Sequence, residues 1–151
     1  MSTFLIVLLV AVAFVVGQWS LLRPSARDTR LMLLRTEARK LGLQPRLLAP
    51  PGWYKGERPV GGLLACYSLL TEEGAKGLPY FRAERTLDGE WVVRAGEGTV
   101  LRSLSLPPEA EKFIALEAQA NAVSIWWSEA LGPEALPALQ SLLRQMLEKL
   151  K

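Results

Sequence analysis

The sequence predicts an α+β chain: an N-terminal transmembrane helix followed by a small domain in which a mostly antiparallel sheet of four to six strands is packed by about three helices. Three observations carry that expectation. Residues 4–22 contain no charged side chain. From residue 43 to residue 104 short apolar runs are parted by Gly and Pro, the pattern of strands and turns. Residues 133–150 then return to a helical spacing of apolar side chains.

The first element is FLIVLLVAVAFVVGQWSLL, a window of 19 residues. At ~1.5 Å per residue a helix of that length spans about 28 Å, close to the ~30 Å hydrocarbon core of a bilayer. Trp19 falls near its end, where an amphipathic ring prefers the headgroup boundary, and Arg23 follows as a cationic stop. Two rival readings account for less. Ala11-Val12-Ala13 has the small-x-small form of a signal-peptide cleavage site, but no Lys or Arg precedes the apolar run and cleavage would leave Phe14-Val15-Val16 at the mature end. A buried core helix needs a polar side, and nothing polar interrupts the run. Ala13 and Gly17 make a small-xxx-small pair that lets two such spans approach closely.

Charge then sets the orientation. Arg23, Arg27, Arg30, Arg35, Arg39, Lys40 and Arg46 cluster after the span against Asp28 and Glu37, whereas Met-Ser-Thr before it offers only an α-amino group. Cations near a span stay on the cytoplasmic side, so the N-terminus is expected outside and the domain in the cytoplasm of a bacterial inner membrane. The whole chain carries +3, yet the part beyond residue 46 is mildly acidic. The basic residues form a collar and not a basic folded surface, which argues against nucleic acid as a partner.

Pro24 ends or kinks the span. Ser25 with Asp28 resembles a capping box, and a helix is expected over about 26–41, stopped by Gly42. Leu31, Leu34, Ala38 and Leu41 share a stripe that docks on the domain. On one reading Trp19, Arg23, Arg27 and Arg30 form a membrane interface, the arginines meeting anionic lipid headgroups while Met32 or Leu33 dips into the lipid. On the other this is a core helix whose arginines serve the topology signal alone. The organisation is thus an anchor at 1–23, a basic juxtamembrane helix at 24–42 and a cytoplasmic α+β domain at 43–151, too short for a second core.

Within the domain, 43–48 reads as an edge strand, because Pro45 has no N–H for an inner ladder. Residues 49–62, APPGWYKGERPVGG, are a loop by composition. LLACYSLL, residues 63–70, reads as an inner strand apolar on both faces. Runs at 80–86 and 90–95 flank Leu87-Asp88-Gly89, the best hairpin signal in the chain. A further strand is expected near 99–104, after a turn at Gly96-Glu97-Gly98. Pro107-Pro108-Glu109-Ala110-Glu111 opens a helix with proline first and acids at the positive end of the dipole, its inner face carrying Phe113, Leu116 and Ala120. Residues 121–127 return as a strand. The last helix starts at 133 or 136 and buries Leu136, Leu139, Leu143, Met146, Leu147 and Leu150.

Candidate chemistry is sparse. The chain has no histidine and one cysteine, so the commonest general base and metal ligand is missing and no intramolecular disulfide forms. Cys66 lies mid-strand with no base to activate it and reads as a core residue. The carboxylates sit in turns and first helical turns, with no spacing that favours a two-carboxylate hydrolase. Gly61-Gly62 and Gly96-Glu97-Gly98 lack the lysine and the strand-to-helix context of a phosphate loop. No catalytic residue, cofactor or metal ligand is assigned.

Aromatic residues are the remaining signal, with five tryptophans. On a strand Trp126 and Trp127 face opposite sides, so one enters the core and the other is either covered or exposed as a binding anchor. Trp53 and Tyr54, in the Pro-Gly loop, either tuck the loop down or contact lipid or a partner. These four are the candidate interaction residues.

One N-terminal span, then Leu22-Arg23-Pro24, then a basic helix and a small cytoplasmic domain, resembles the small accessory subunit of the bacterial Sec translocon over residues 4–40. It is also similar to bacterial single-pass inner-membrane proteins that open their soluble part with Arg-Pro-Ser and a basic helix. Gly42-Leu43-Gln44-Pro45 departs from the glycine-rich β motif of the translocon subunit, and neither resemblance carries over a functional residue. The expected function is that of a membrane-anchored, non-enzymatic protein whose domain contacts a membrane-protein partner or another copy. The alternatives are an anchored enzyme using Glu or Tyr on a lipid or lipid-linked substrate, and a translocon accessory-like protein.

Overall fold

The structure, a computed structural model, describes residues 2–21, 25–72 and 77–151, and their side chains except those of 2, 20 and 21. It divides into two units, Met1–Met32 and Leu33–Lys151, so the division falls inside the basic helix and gives its second half to the domain.

In the first unit, helix α1 (Ser2–Leu21) has no acidic residue in its first turn and no basic residue in its last, and its described side chains, 3–19, are all exposed. Among the described residues no helix is long and apolar enough to cross a membrane. The described side chains of α1 stop at residue 19, whereas the apolar window of the sequence runs to residue 22. Helix α2 (Ala26–Lys40) begins on a reciprocal cap: Asp28 N–H donates to Ser25 Oγ at 3.1 Å and Ser25 N–H donates to Asp28 Oδ2 at 3.3 Å. Hydrogen bonding to Ser25 holds the Asp28 carboxyl below its usual range. At the other end Gly42 adopts φ +79, and Leu43 N–H returns to Ala38 O at 3.0 Å, which closes the helix as the glycine predicts.

The second unit is α+β. Six strands, β1 (Gln44–Leu48), β2 (Leu64–Leu70), β3 (Leu78–Arg85), β4 (Trp91–Ala95), β5 (Phe113–Ala120) and β6 (Ala122–Trp127), form one sheet in the order β1-β2-β6-β5-β3-β4. Every pairing is antiparallel. Strand β1 lies at one edge, where its proline is tolerated. The β3–β4 hairpin turns as expected: Gly89 takes φ +86, the left-handed conformation glycine adopts without cost, while Thr86 N–H donates to Glu90 O at 2.7 Å.

Two expectations are corrected. Residues 99–104 do not add a strand; they lie mostly in helix α3 (Gly98–Ser103), which follows a turn at Gly96 off the sheet edge, buries Val100 and lies against the last helix. The expected helix after Pro107 is only a 3-10 turn (Pro108–Lys112), and Phe113, Leu116 and Ala120 belong to β5. A bulge between Phe113 and Ala115 shifts the side-chain phase. Phe113 and Leu116 thereby reach the same face three residues apart, a spacing that mimics a helix.

Helix α4 (Leu136–Leu150) matches its predicted stripe, except that Leu142 is buried where Leu147 is half-buried. It lies against β6 and β2, and on that face of the sheet Tyr67, Phe81, Leu116, Ile125 and Trp127 are fully buried, as are Leu34 and Ala38 of α2. Gln140 Nε2 donates to Leu41 O at 2.6 Å, tying α4 to the end of α2.

Candidate functional site

Side chains alternate across a strand, so the register assigns each one a face. On the face away from α4, one row across the sheet reads Gln44, Ser68, Ser124, Glu117, Arg82, and the next reads Arg46, Cys66, Trp126, Ala115, Glu84. LLACYSLL is the expected inner strand: Ala65 and Tyr67 face the helices, Leu64 and Cys66 are buried on the outer face, and Ser68 breaks the apolar run there.

Part of this outer face is covered, but by the 49–62 loop and not by a helix. Trp53 packs on a cluster of Leu64, Cys66, Ala115 and Trp126. The Arg82 guanidinium carbon lies 5.2 Å from the Trp53 ring and 4.2 Å from the Tyr80 ring, a cation–π stack. Glu84, only 2% exposed, accepts a hydrogen bond from Lys55 N–H at 2.9 Å and another from Arg94 Nε at 2.6 Å. A buried carboxylate is tolerated only with such partners; Arg94 reaches it from β4, and the Lys55 N–H fastens the loop to the sheet.

The rest of the outer face is open and forms a shallow trough of about 270 Å3. Its middle strands carry small side chains, Ser68 on β2 and Ala122 and Ser124 on β6. Its flanks carry long ones, Arg46 on β1 and Glu117 and Gln119 on β5. Small residues between long ones make the hollow, which therefore runs along the strands. The hydroxyls of Ser68 and Ser124 hydrogen-bond each other at 2.8 Å, and Arg82 Nε donates to Glu117 Oε1 at 2.9 Å. Arg46 donates to the neutral amide oxygen of Gln44 at 3.4 Å. The Cys66 thiol beside it is buried, and burial pushes its pKa up, which keeps it protonated and unreactive.

A second polar cluster lies on the helix-covered face. Glu129, 8% exposed and at φ +53, accepts Arg35 Nε at 2.8 Å, Arg35 Nη2 at 2.6 Å and the Tyr67 hydroxyl at 2.7 Å. Burial first, then the Glu129 carboxylate, raises the pKa of Tyr67. The hydrogen bond to Glu129 raises that of Arg35. The arrangement joins α2 to β2 and to the chain just past β6; it leaves Glu129 saturated with donors and suits a structural clamp.

The sequence-predicted residues fall in separate places. Trp19 is exposed on α1, Arg27 and Arg30 are exposed on α2, and Arg23 lies outside the described residues. Trp126 and Trp127 are 5% and 0% exposed, so neither is a surface anchor: Trp127 meets Tyr67 and Phe113 edge-on in the core, and Trp126 lies under the loop. Trp53 and Tyr54 are half-buried, the tucked arrangement of the two left open by the sequence. Burial, then Glu84 and Glu57, raises the pKa of Tyr54. Arg46, Ser68, Gln119 and Ser124 were missed, although the period-two pattern of 64–70 and 122–127 marks Ser68 and Ser124 as same-face polar residues. Among the described residues no group of three or more His, Cys, Asp or Glu is placed to hold a metal ion. No protein-family model, curated protein or solved structure matches the chain.

Proposed function

We propose that the chain is a single-pass, non-enzymatic protein of a bacterial inner membrane, with its N-terminus outside and a cytoplasmic α+β domain that binds a membrane-protein partner or another copy of itself. The anchoring half of this reading is supported by the uncharged window 4–22 and the seven Lys and Arg that follow it, where Arg27, Arg30 and the undescribed Arg23 meet anionic headgroups. The interaction half is carried by one observation: a fold that covers one end of its outer sheet face with a dedicated 14-residue loop leaves an adjoining polar trough open.

The anchor and the interaction are tested separately. After carbonate washing the full chain should stay in the membrane pellet, and a reporter placed after residue 60 should be cytoplasmic. Photo-crosslinking from residue 119 in intact membranes should join the chain to a second protein or to itself. A chain released by carbonate refutes the anchor; one that crosslinks to nothing and runs as a monomer in mild detergent refutes the interaction.

A further inference from the structure

Building on the reading of the domain as an interaction module, we infer that the trough binds an extended peptide segment bearing one carboxylate, laid along β2 and β6 with that carboxylate against Arg46. Shape, charge and floor chemistry each narrow the occupant.

The hollow follows the strand direction. From Trp126 to Ala122 its floor is about 13 Å long at ~3.3 Å per residue, and its walls rise from strands whose backbones stand roughly 14 Å apart at ~4.8 Å per step. Once the walls' own side chains are subtracted, one extended chain fits and an α-helix of about 10–12 Å diameter does not. The charges facing the trough come from three strands. Among the described residues, Glu117 of β5 is neutralised by Arg82 of β3 at 2.9 Å, while the contact of Arg46 of β1 is a long one to a neutral amide. Among those residues one cation facing the trough is thus left over, matching a single negative charge on the ligand.

Leu48, Ala120, Ala122 and Trp126 also line the trough, but the two hydroxyls on its floor suit a peptide better than a lipid chain. Ser68 and Ser124 give one hydrogen bond to each other and Ser68 a long contact to the Cys66 thiol at 3.9 Å, and the pair still retains at least two acceptor sites that an acyl chain would cover without satisfying. A peptide supplies N–H groups for those sites. Trp126 closes one end of the trough, and its Nε1, like that of Trp53 above it, is buried with no hydrogen-bond partner.

The test uses the full, isotopically labelled chain in a neutral lipid nanodisc. The probes are pools of N-acetylated, C-amidated tetrapeptides with one Asp or Glu at a fixed position, and matched pools with Asn or Gln. The acidic pools should give saturable amide shifts centred on Ser68, Ser124 and Gln119. Arg46→Gln, a change at an exposed residue, should weaken that binding about tenfold, the loss of one charge-assisted contact, with its thermal unfolding unchanged. Ser68→Val, which fills the floor, should abolish it. Acidic and neutral pools that behave alike, shifts centred elsewhere, or full binding by Arg46→Gln each overturn the proposal. If no pool binds while residue 119 still crosslinks to another protein in membranes, the peptide assignment fails and the interaction reading stands. If neither occurs, both fail.

Discussion

The two faces of the sheet solve the problem of burial differently. Toward α4, large side chains are fully buried, Phe81, Leu116, Ile125 and Trp127 on the sheet and Leu136, Leu139, Leu142, Leu143 and Met146 on the helix, and a charged cluster there, Arg35 with Glu129 and Tyr67, satisfies itself. Away from α4, a single half-buried tryptophan on a loop covers one end and a strip of serines, glutamine and arginine is left to solvent. Stability is concentrated on the first face, and the second carries groups whose hydrogen-bonding capacity is unspent. The domain therefore separates what holds it together from what it presents.

Substitutions can break or sharpen that contrast. Trp127→Ala empties the centre of the helix-covered face and should cost about 3–5 kcal/mol in urea unfolding; a smaller loss than that of Trp53→Ala would reverse the ranking of the faces. Glu129→Ala strands a guanidinium and a buried phenol, with an expected loss of about 2–3 kcal/mol. The same cluster sets an alkaline limit. Because burial and Glu129 raise the Tyr67 pKa in the folded protein, the unfolded phenol ionises first, near pH ~10. The stability Tyr67 contributes is thus present below that pH and lost as pH rises above it, and denaturant midpoints taken from pH 8 upward should show Tyr67→Phe with a shallower alkaline decline.

On the outer face the effects shrink. Trp53→Ala should cost about 1–2 kcal/mol, less than a fully buried aromatic, and should speed protease cleavage within 49–62. Ala120→Gly relieves a non-glycine residue held at φ +53 and should raise stability by roughly 0.5–1 kcal/mol in the same urea assay. Replacing Ser68 and Ser124 together by Ala removes both partners of one hydrogen bond and should shift stability by less than about 0.5 kcal/mol. A large loss from that last pair would show the trough floor to be structural.

Local signals brought out much of the fold. The Ser25 cap, the Gly42 stop, Pro45 at an edge, Asp88-Gly89 and the α4 stripe each depend on residues close in sequence, and each matches its element. What failed depended on partners far away. The β5 bulge converts a strand into apparent helical spacing, and only the pairing with β6 reveals it. Thr99-Val100 favours a strand by propensity, yet the chain has turned away from the sheet at Gly96 and Val100 is buried in a helix. The trough was hidden for the same reason: Ser68, Ser124 and Arg46 are ordinary residues on separate strands, and only the registers 44↔68, 68↔124 and 46↔66 make them neighbours. The Arg35–Glu129 clamp spans 94 positions, beyond any periodicity.

The strand order also fixes a timetable for synthesis. Strand β6, which sits between β2 and β5, is the last of the six to leave the ribosome, and α4 follows it. Until residue 127 has emerged, the β1–β2 hairpin and the β3–β4–β5 group each present a bare edge of backbone donors and acceptors, the condition under which nascent chains pair with the wrong neighbour. Translation that stalls before residue 122 leaves two half-sheets with no strand to join them.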